Sequence, residues 1–223
     1  MSKRWWEWDP VFRIDPERTA LVIIDMQNGF VEPGAVLEVP MARQQVPAIT
    51  RLLDFCRSRS IPAVFTAFCV GPDFNYPFYW QMARQRGLHV DPPVRTFWED
   101  KHETKIVQEL RLRPEEIVIK KYGYDAFANT QLEDVLRSLN VSCLMVAGTV
   151  VNWCVDSTIR SAFHRGYQLV IVADGVSGYD HAGISADTWR DVELDLFAEA
   201  FGRVMSVEDI IKELSDTWSV GWR

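Results

Sequence analysis

The sequence predicts a three-layer αβα fold in the α/β class, and three features point to it. Short apolar runs alternate with helical stripes. The first apolar run ends in an acid, Val22-Ile23-Ile24-Asp25. A later one runs into the turn Gly148-Thr149-Val150-Val151-Asn152-Trp153-Cys154-Val155, which opens a helix. Alternation at this spacing implies a parallel sheet with helices on both faces.

Thr19 to Asp25 is a continuous apolar run, as expected of a strand buried on both sides. Val46, Ile49, Leu52, Leu53 and Cys56 share one helical stripe, and Pro47 is expected in the first turn of that helix. Ile61 to Phe68 and Glu116 to Lys120 read as the next two strands. Thr130-Gln131-Leu132-Glu133 matches a capping box, followed by a stripe of Leu132, Val135, Leu136 and Leu139. Further strands are expected at Ser142 to Ala147, Gln168 to Ala173 and Arg203 to Met205. Helices are expected from about Asn152 to Arg165, from Ser185 to Ala200, and from a capped start at Ser206 to Leu214.

The 223 residues, 48% of them apolar, support a single domain, assigned to 19–214. A Trp-rich arm (1–18) precedes it and a tail (215–223) follows. The segment 70–100 carries Phe74, Tyr76, Phe78, Tyr79 and Trp80 and is too long for a plain connection, so it reads as a lid or substrate loop. A net charge of −7 supplies no field for a nucleic-acid backbone or an anionic membrane, so neither is expected as a partner. No apolar run approaches the roughly 18 residues of a spanning helix, and the Met1-Ser2-Lys3-Arg4 start leads into no signal-peptide core. A cytoplasmic location is expected.

Cys56, Cys69 and Cys143 fall in apolar core patterns, where a free cysteine packs as a small hydrophobe. Cys154 differs. It stands in the first turn of a helix, with Asn152 read as the cap, and unpaired N–H groups and the helix dipole there favour its thiolate. Sites in parallel sheets lie at the carboxyl ends of the strands. Asp25, the pair Lys120-Lys121 and Cys154 all belong to that edge.

These residues are similar to a known family. Asp25-Met26-Gln27-Asn28-Gly29-Phe30, Lys121 with Tyr124-Asp125-Ala126-Phe127, and Gly148 to Val155 resemble, in order and separation, the motifs of the isochorismatase-like cysteine hydrolases. The resemblance covers roughly Thr19 to Leu214. It implies the isochorismatase-like hydrolase fold on a six-stranded parallel sheet and a catalytic triad of Asp25, Lys121 and Cys154. By motif position Lys121 takes the middle role rather than Lys120, because strand side chains alternate and only one of the two faces the site. The resemblance also implies an oxyanion hole from the N–H groups of Val151 and Cys154, with a cis peptide between Val150 and Val151.

Such enzymes split the C–N bond of small amide, ureido or N-carbamoyl compounds through a thioester. Phe30, Tyr76, Trp80, Tyr124 and Trp153 are the expected substrate contacts. Val151, Asp125 and Trp153 depart from the family pattern near the pocket and bear on substrate identity; Asp125 is positioned to add a second acid.

No cofactor is expected. His89, His102, His164 and His181 lack ligand spacing, and Asp73-Phe74-Asn75 lacks the histidine of the metal-binding relatives. Arg84 and Arg86 read as solvated charges. Trp5, Trp6, Trp8, Trp218 and Trp222 suggest an interface, and the resemblance implies a homodimer or homotetramer. Two alternatives stand beside the amidohydrolase: a vinyl ether hydrolase of the isochorismatase type, whose chemistry needs no thiol, and an inactive scaffold that binds a protein partner.

Overall fold

Strands β1 (Thr19–Ile24), β2 (Ala63–Phe68), β3 (Ile117–Lys121), β4 (Cys143–Thr149), β5 (Gln168–Ser177) and β6 (Arg203–Met205) form one sheet in the order β3-β2-β1-β4-β5-β6. Every adjacent pair is parallel. This is a computed structural model that describes residues 3–70, 81–82, 85, 97 and 101–220, without the side chains of 218–220. Helices are α1 (Asn28–Val31), α2 (Pro40–Ser58), α3 (Leu132–Ser138), α4 (Asp156–His164), α5 (Ala186–Ala200) and α6 (Val207–Val220).

Period-two alternation splits the buried strands between two cores. Leu21, Ile23, Met145 and Val172 pack beneath α2 and α6. Ala20, Val22, Ile24, Val146 and Ile171 face the opposite layer, α3 to α5. The three-layer arrangement follows from this division, because each sheet face must be covered.

Several boundaries differ from the sequence expectation. Helix α2 starts at Pro40, whose fixed φ suits the first helical position, so Pro47 lies inside the helix rather than in its first turn. The Thr130 hydroxyl accepts from the Leu132 N–H at 3.2 Å, but Glu133 turns to Arg137 and Arg165 instead of closing the capping box. Strand β5 continues to Ser177 through a register break, from Val146 opposite Ile171 to Gly148 opposite Val176. The Ser206 hydroxyl accepts from the Asp209 N–H at 3.1 Å as expected. The helix it caps then runs to Val220, so 215–220 extend a helix and do not form a tail.

The amino-terminal segment packs onto the domain. Trp5 lies against the second core and donates its backbone N–H to Asp195, while Arg4 pairs with the same carboxylate at 3.1 Å. Trp6 and Trp8 remain exposed. The side chain of Trp218, all of Trp222, and most of the 70–100 segment lie outside the described residues. No helix among the described residues is long and apolar enough to cross a membrane.

Strand order reverses between β1 and β4, so the chain leaves these neighbours in opposite directions and opens a crevice at their carboxyl ends. Gly148 closes the crevice from below. Its φ is +121°, and a Cβ there would lie 2.0 Å from the Ile24 carbonyl oxygen. Gly148→Ala is therefore expected to cost about 3 kcal/mol or more. In calorimetry this corresponds to a Tm lower by roughly 6–12 °C. An unchanged Tm would show that the two strand ends can part freely.

Candidate active site

Asp25 ends β1 with φ +50°, a left-handed conformation that turns the chain out of the strand. Its N–H donates to the Thr66 hydroxyl at 3.2 Å, and that hydroxyl donates to Asp25 Oδ1 at 2.7 Å. Gln27 fixes the following turn. Its amide donates to the carbonyls of Phe68 and Thr104, each at 2.9 Å, and its oxygen accepts from the Phe68 N–H at 2.8 Å.

Lys121 reaches this carboxylate from the end of β3, across β2. Its Nζ lies 2.6 Å from Asp25 Oδ2, 2.8 Å from the Gly123 carbonyl oxygen and 3.3 Å from Cys154 Sγ. The ammonium donates to the Gly123 carbonyl and the Cys154 sulfur, whereas its contact with Asp25 Oδ2 is an ion pair in which that oxygen accepts no hydrogen bond. The Phe68 ring lies 5.4 Å from the same nitrogen. Along β3 the side chains alternate, so Lys121 is fully buried and Lys120 faces outward.

Cys154 arrives on a π-helical turn, Val151–Val155, that leads into α4. Val150, extended, caps this turn in place of Asn152, which sits inside it. The cis peptide joins Thr149 to Val150, one bond earlier than the expected Val150–Val151. The reason is positional: β4 persists to Thr149, and Val151 already belongs to the turn. The Val150 carbonyl accepts from the N–H groups of Trp153 and Val155, at 3.0 and 3.1 Å, rather than from that of Cys154 between them. The Thr158 hydroxyl donates to the Cys154 carbonyl at 2.7 Å and accepts from the Ala126 N–H at 3.1 Å, tying the turn to the segment after Lys121.

Around this centre the expected contacts separate. Phe30 packs in an aromatic group with Phe68 and Phe97, its ring 4.6 Å from that of Phe97. Tyr124 and Trp153 meet edge to face at 5.2 Å, both more than a third exposed. Tyr76 and Trp80 lie outside the described residues. Asp125 does not join the triad: its carboxylate accepts from the Phe127 N–H and the Ser161 hydroxyl, each at 2.8 Å, because it closes a local turn. Among the described residues no group of three or more His, Cys, Asp or Glu is placed to hold a metal ion. Thr66 and Phe97 escaped the sequence reading, and Gln27 and Thr158 belonged to motifs without being given a role of their own. The signal for Thr66 was a lone hydroxyl in the strand Ala63–Phe68.

The sequence pattern of the isochorismatase domain matches residues 19–209. The chain belongs to the isochorismatase family. Among curated relatives, ureidoacrylate amidohydrolase RutB of Pseudomonas savastanoi pv. phaseolicola is 29% identical over 220 residues, covering 91% of this chain and 86% of its own. The same-named protein of Caulobacter segnis is 28% identical over 176 residues, covering 72% and 73%. A cysteine hydrolase crystal structure from Pseudomonas syringae pv. phaseolicola superposes with a TM-score of 0.84 at 26% identity, covering 97% of this chain and 99% of that one. N-carbamoylsarcosine amidase from Thermoplasma acidophilum shares the fold, with a TM-score of 0.69 at 22% identity and coverages of 86% and 97%.

In this isochorismatase-family site, burial pushes the Cys154 thiol up to about 12; Lys121 opposes the shift and the Asp25 charge adds to it. Desolvation and the helix terminus thus act on the thiol in opposite directions, and burial is the larger of the causes that shift it. Burial opposes the charge on Lys121, yet Asp25 and Cys154 hold its ammonium above the ordinary range. A raised thiol lowers stability in alkali. The contribution is intact below the ordinary value of 9.0 and is lost as pH climbs from there toward about 12. Between about pH 8 and about pH 10.5, the urea midpoint of Cys154→Ala should therefore fall less than that of the wild type. Equal falls would mean that the buried thiol does not set the alkaline limit.

Proposed function

We propose that this chain is a cysteine amidohydrolase that cleaves the C–N bond of a small amide, ureido or N-carbamoyl compound, with Asp25, Lys121 and Cys154 as its catalytic residues. The observation that carries the reading is the single ammonium of Lys121 in contact with both the Asp25 carboxylate and the Cys154 sulfur. The names of the relatives, ureidoacrylate amidohydrolase and cysteine hydrolase, point the same way.

Burial pushes the Cys154 thiol up, so on this reading it loses its proton as attack begins. Asp25 takes that proton as general base, and Lys121 holds the sulfur charge as the S–C bond forms. The N–H groups of Val151 and Cys154, at the start of the π-helical turn, receive the developing oxyanion; preorganised donors of this kind contribute about 3 to 4 kcal/mol each. Protonated Asp25 then gives its proton to the leaving amine, and the C–N bond breaks to a thioester. Water, activated by the same carboxylate, hydrolyses the thioester and frees the thiol. Phe30, Tyr124 and Trp153 line the approach and favour a compact planar substrate, with ureidoacrylate a first choice for assay.

A vinyl ether hydrolase has no use for a thiol held against an ammonium in this way. A silent scaffold fares worse, because a buried ion pair is often replaceable by apolar side chains with no loss of stability. In an ammonia-release assay over ureidoacrylate, N-carbamoyl compounds and simple amides, Cys154→Ala should reduce turnover to background while keeping the wild-type Tm within a few degrees. Lys121→Ala should lose far more activity than Lys120→Ala. Turnover by the alanine variant of Cys154 would end the covalent mechanism, and the reverse lysine ranking would move the site along β3 by one residue.

A further inference from the structure

Thr66 is the one residue of β2 with a polar side chain, and it is fully buried between the strands that carry Asp25 and Lys121. A hydroxyl has a single proton to donate. The Asp25 N–H approaches Thr66 Oγ1 as a donor at 3.2 Å, so the oxygen accepts there and directs its own proton to Asp25 Oδ1, 2.7 Å away. The two carboxylate oxygens are thereby made unequal. Oδ1 is engaged by Thr66, whereas Oδ2 faces Lys121, whose Nζ also contacts the Cys154 sulfur.

We propose that Thr66 is a positioning residue that holds Asp25 Oδ1 and directs the Cys154 proton to Oδ2. The inference rests on the reading of Asp25 as the base for Cys154. In the step it governs, the S–H bond breaks and its electron pair stays on sulfur beside Lys121. An O–H bond forms at Oδ2 while Oδ1 continues to accept from Thr66. A proton placed on Oδ1 would oppose the Thr66 proton, and turning that hydroxyl away would forfeit a buried hydrogen bond to a charged group. Among the described residues, the titratable groups that face Asp25 are Lys121 from β3 and Cys154 from the π-helical turn.

The test follows alkylation of Cys154 by iodoacetamide, read by mass spectrometry on the peptide containing it, from about pH 5 to about pH 9, in the wild type, Thr66→Val and Thr66→Ser. With Oδ1 released, the carboxylate is free to turn away from the sulfur, so alkylation near neutral pH should slow about tenfold in Thr66→Val. Thr66→Ser should restore the wild-type rate. A wild-type rate in Thr66→Val, or a Thr66→Ser rate as low as that of Thr66→Val, overturns the proposal. If Thr66→Val does not fold, Thr66→Ala removes the same hydroxyl without a methyl opposed to the carboxylate, and the same two results decide. Turnover that survives Cys154→Ala would remove the amidohydrolase reading itself. An inactive Cys154→Ala together with a wild-type alkylation rate in Thr66→Val would remove only the role of Thr66.

Discussion

A carboxylate and an ammonium 2.6 Å apart, both with side chains fully removed from solvent, set the conditions for the rest of this site. Taking such ions out of water costs several kcal/mol each, and their attraction offsets the cost only where the remaining hydrogen-bonding positions are filled. Thr66 fills one oxygen of Asp25, and Gly123 and Cys154 surround Lys121, while Oδ2 is left with the ion pair alone. Each of these partners comes from a different part of the chain. The ion pair therefore exists only when β1, β2, β3 and the turn after β4 are all in register.

Sheet topology makes that possible at low cost. With β1 flanked by β2 and β4, the end of β1 is the place where the two halves of the sheet diverge, so a side chain there can be reached from both. Lys121 comes from two strands away on one side, and its long stem spans β2 beneath the Phe68 ring. Cys154 comes from the other side, where Gly148 permits backbone contact between β4 and Ile24. A β-carbon at that glycine would separate the nucleophile turn from the carboxylate it must meet.

Much of this was legible in the sequence, and what was missed has identifiable physical causes. Apolar runs and stripes are set by burial, so the six strands and their covering helices could be read from residue type alone. The order of motifs brought out Asp25, Lys121 and Cys154; motif spacing favoured Lys121 over Lys120, and strand alternation meant that only one of the two could face the site. Boundaries were less accurate, as at Pro47 and at the end of α6, because a helix runs as far as tertiary contacts support it. The role of Asp125 was left open, since composition does not distinguish a carboxylate that serves a local turn from one in the site. The upward shift of the thiol was not read for a different reason. A helix terminus is visible in a sequence, but the depth of burial that opposes it emerges only from the fold.

On the proposed reading of the site, that depth of burial bears on the chemistry. Burial pushes the Cys154 thiol up to about 12, while Lys121 stands 3.3 Å away. The ammonium contacts both the carboxylate and the sulfur, so transfer of the thiol proton to Asp25 would move negative charge from one partner of Lys121 to another and leave the total unchanged. A closed, low-dielectric site can carry such a rearrangement with little reorganisation, whereas separating a new pair of charges there would be prohibitive.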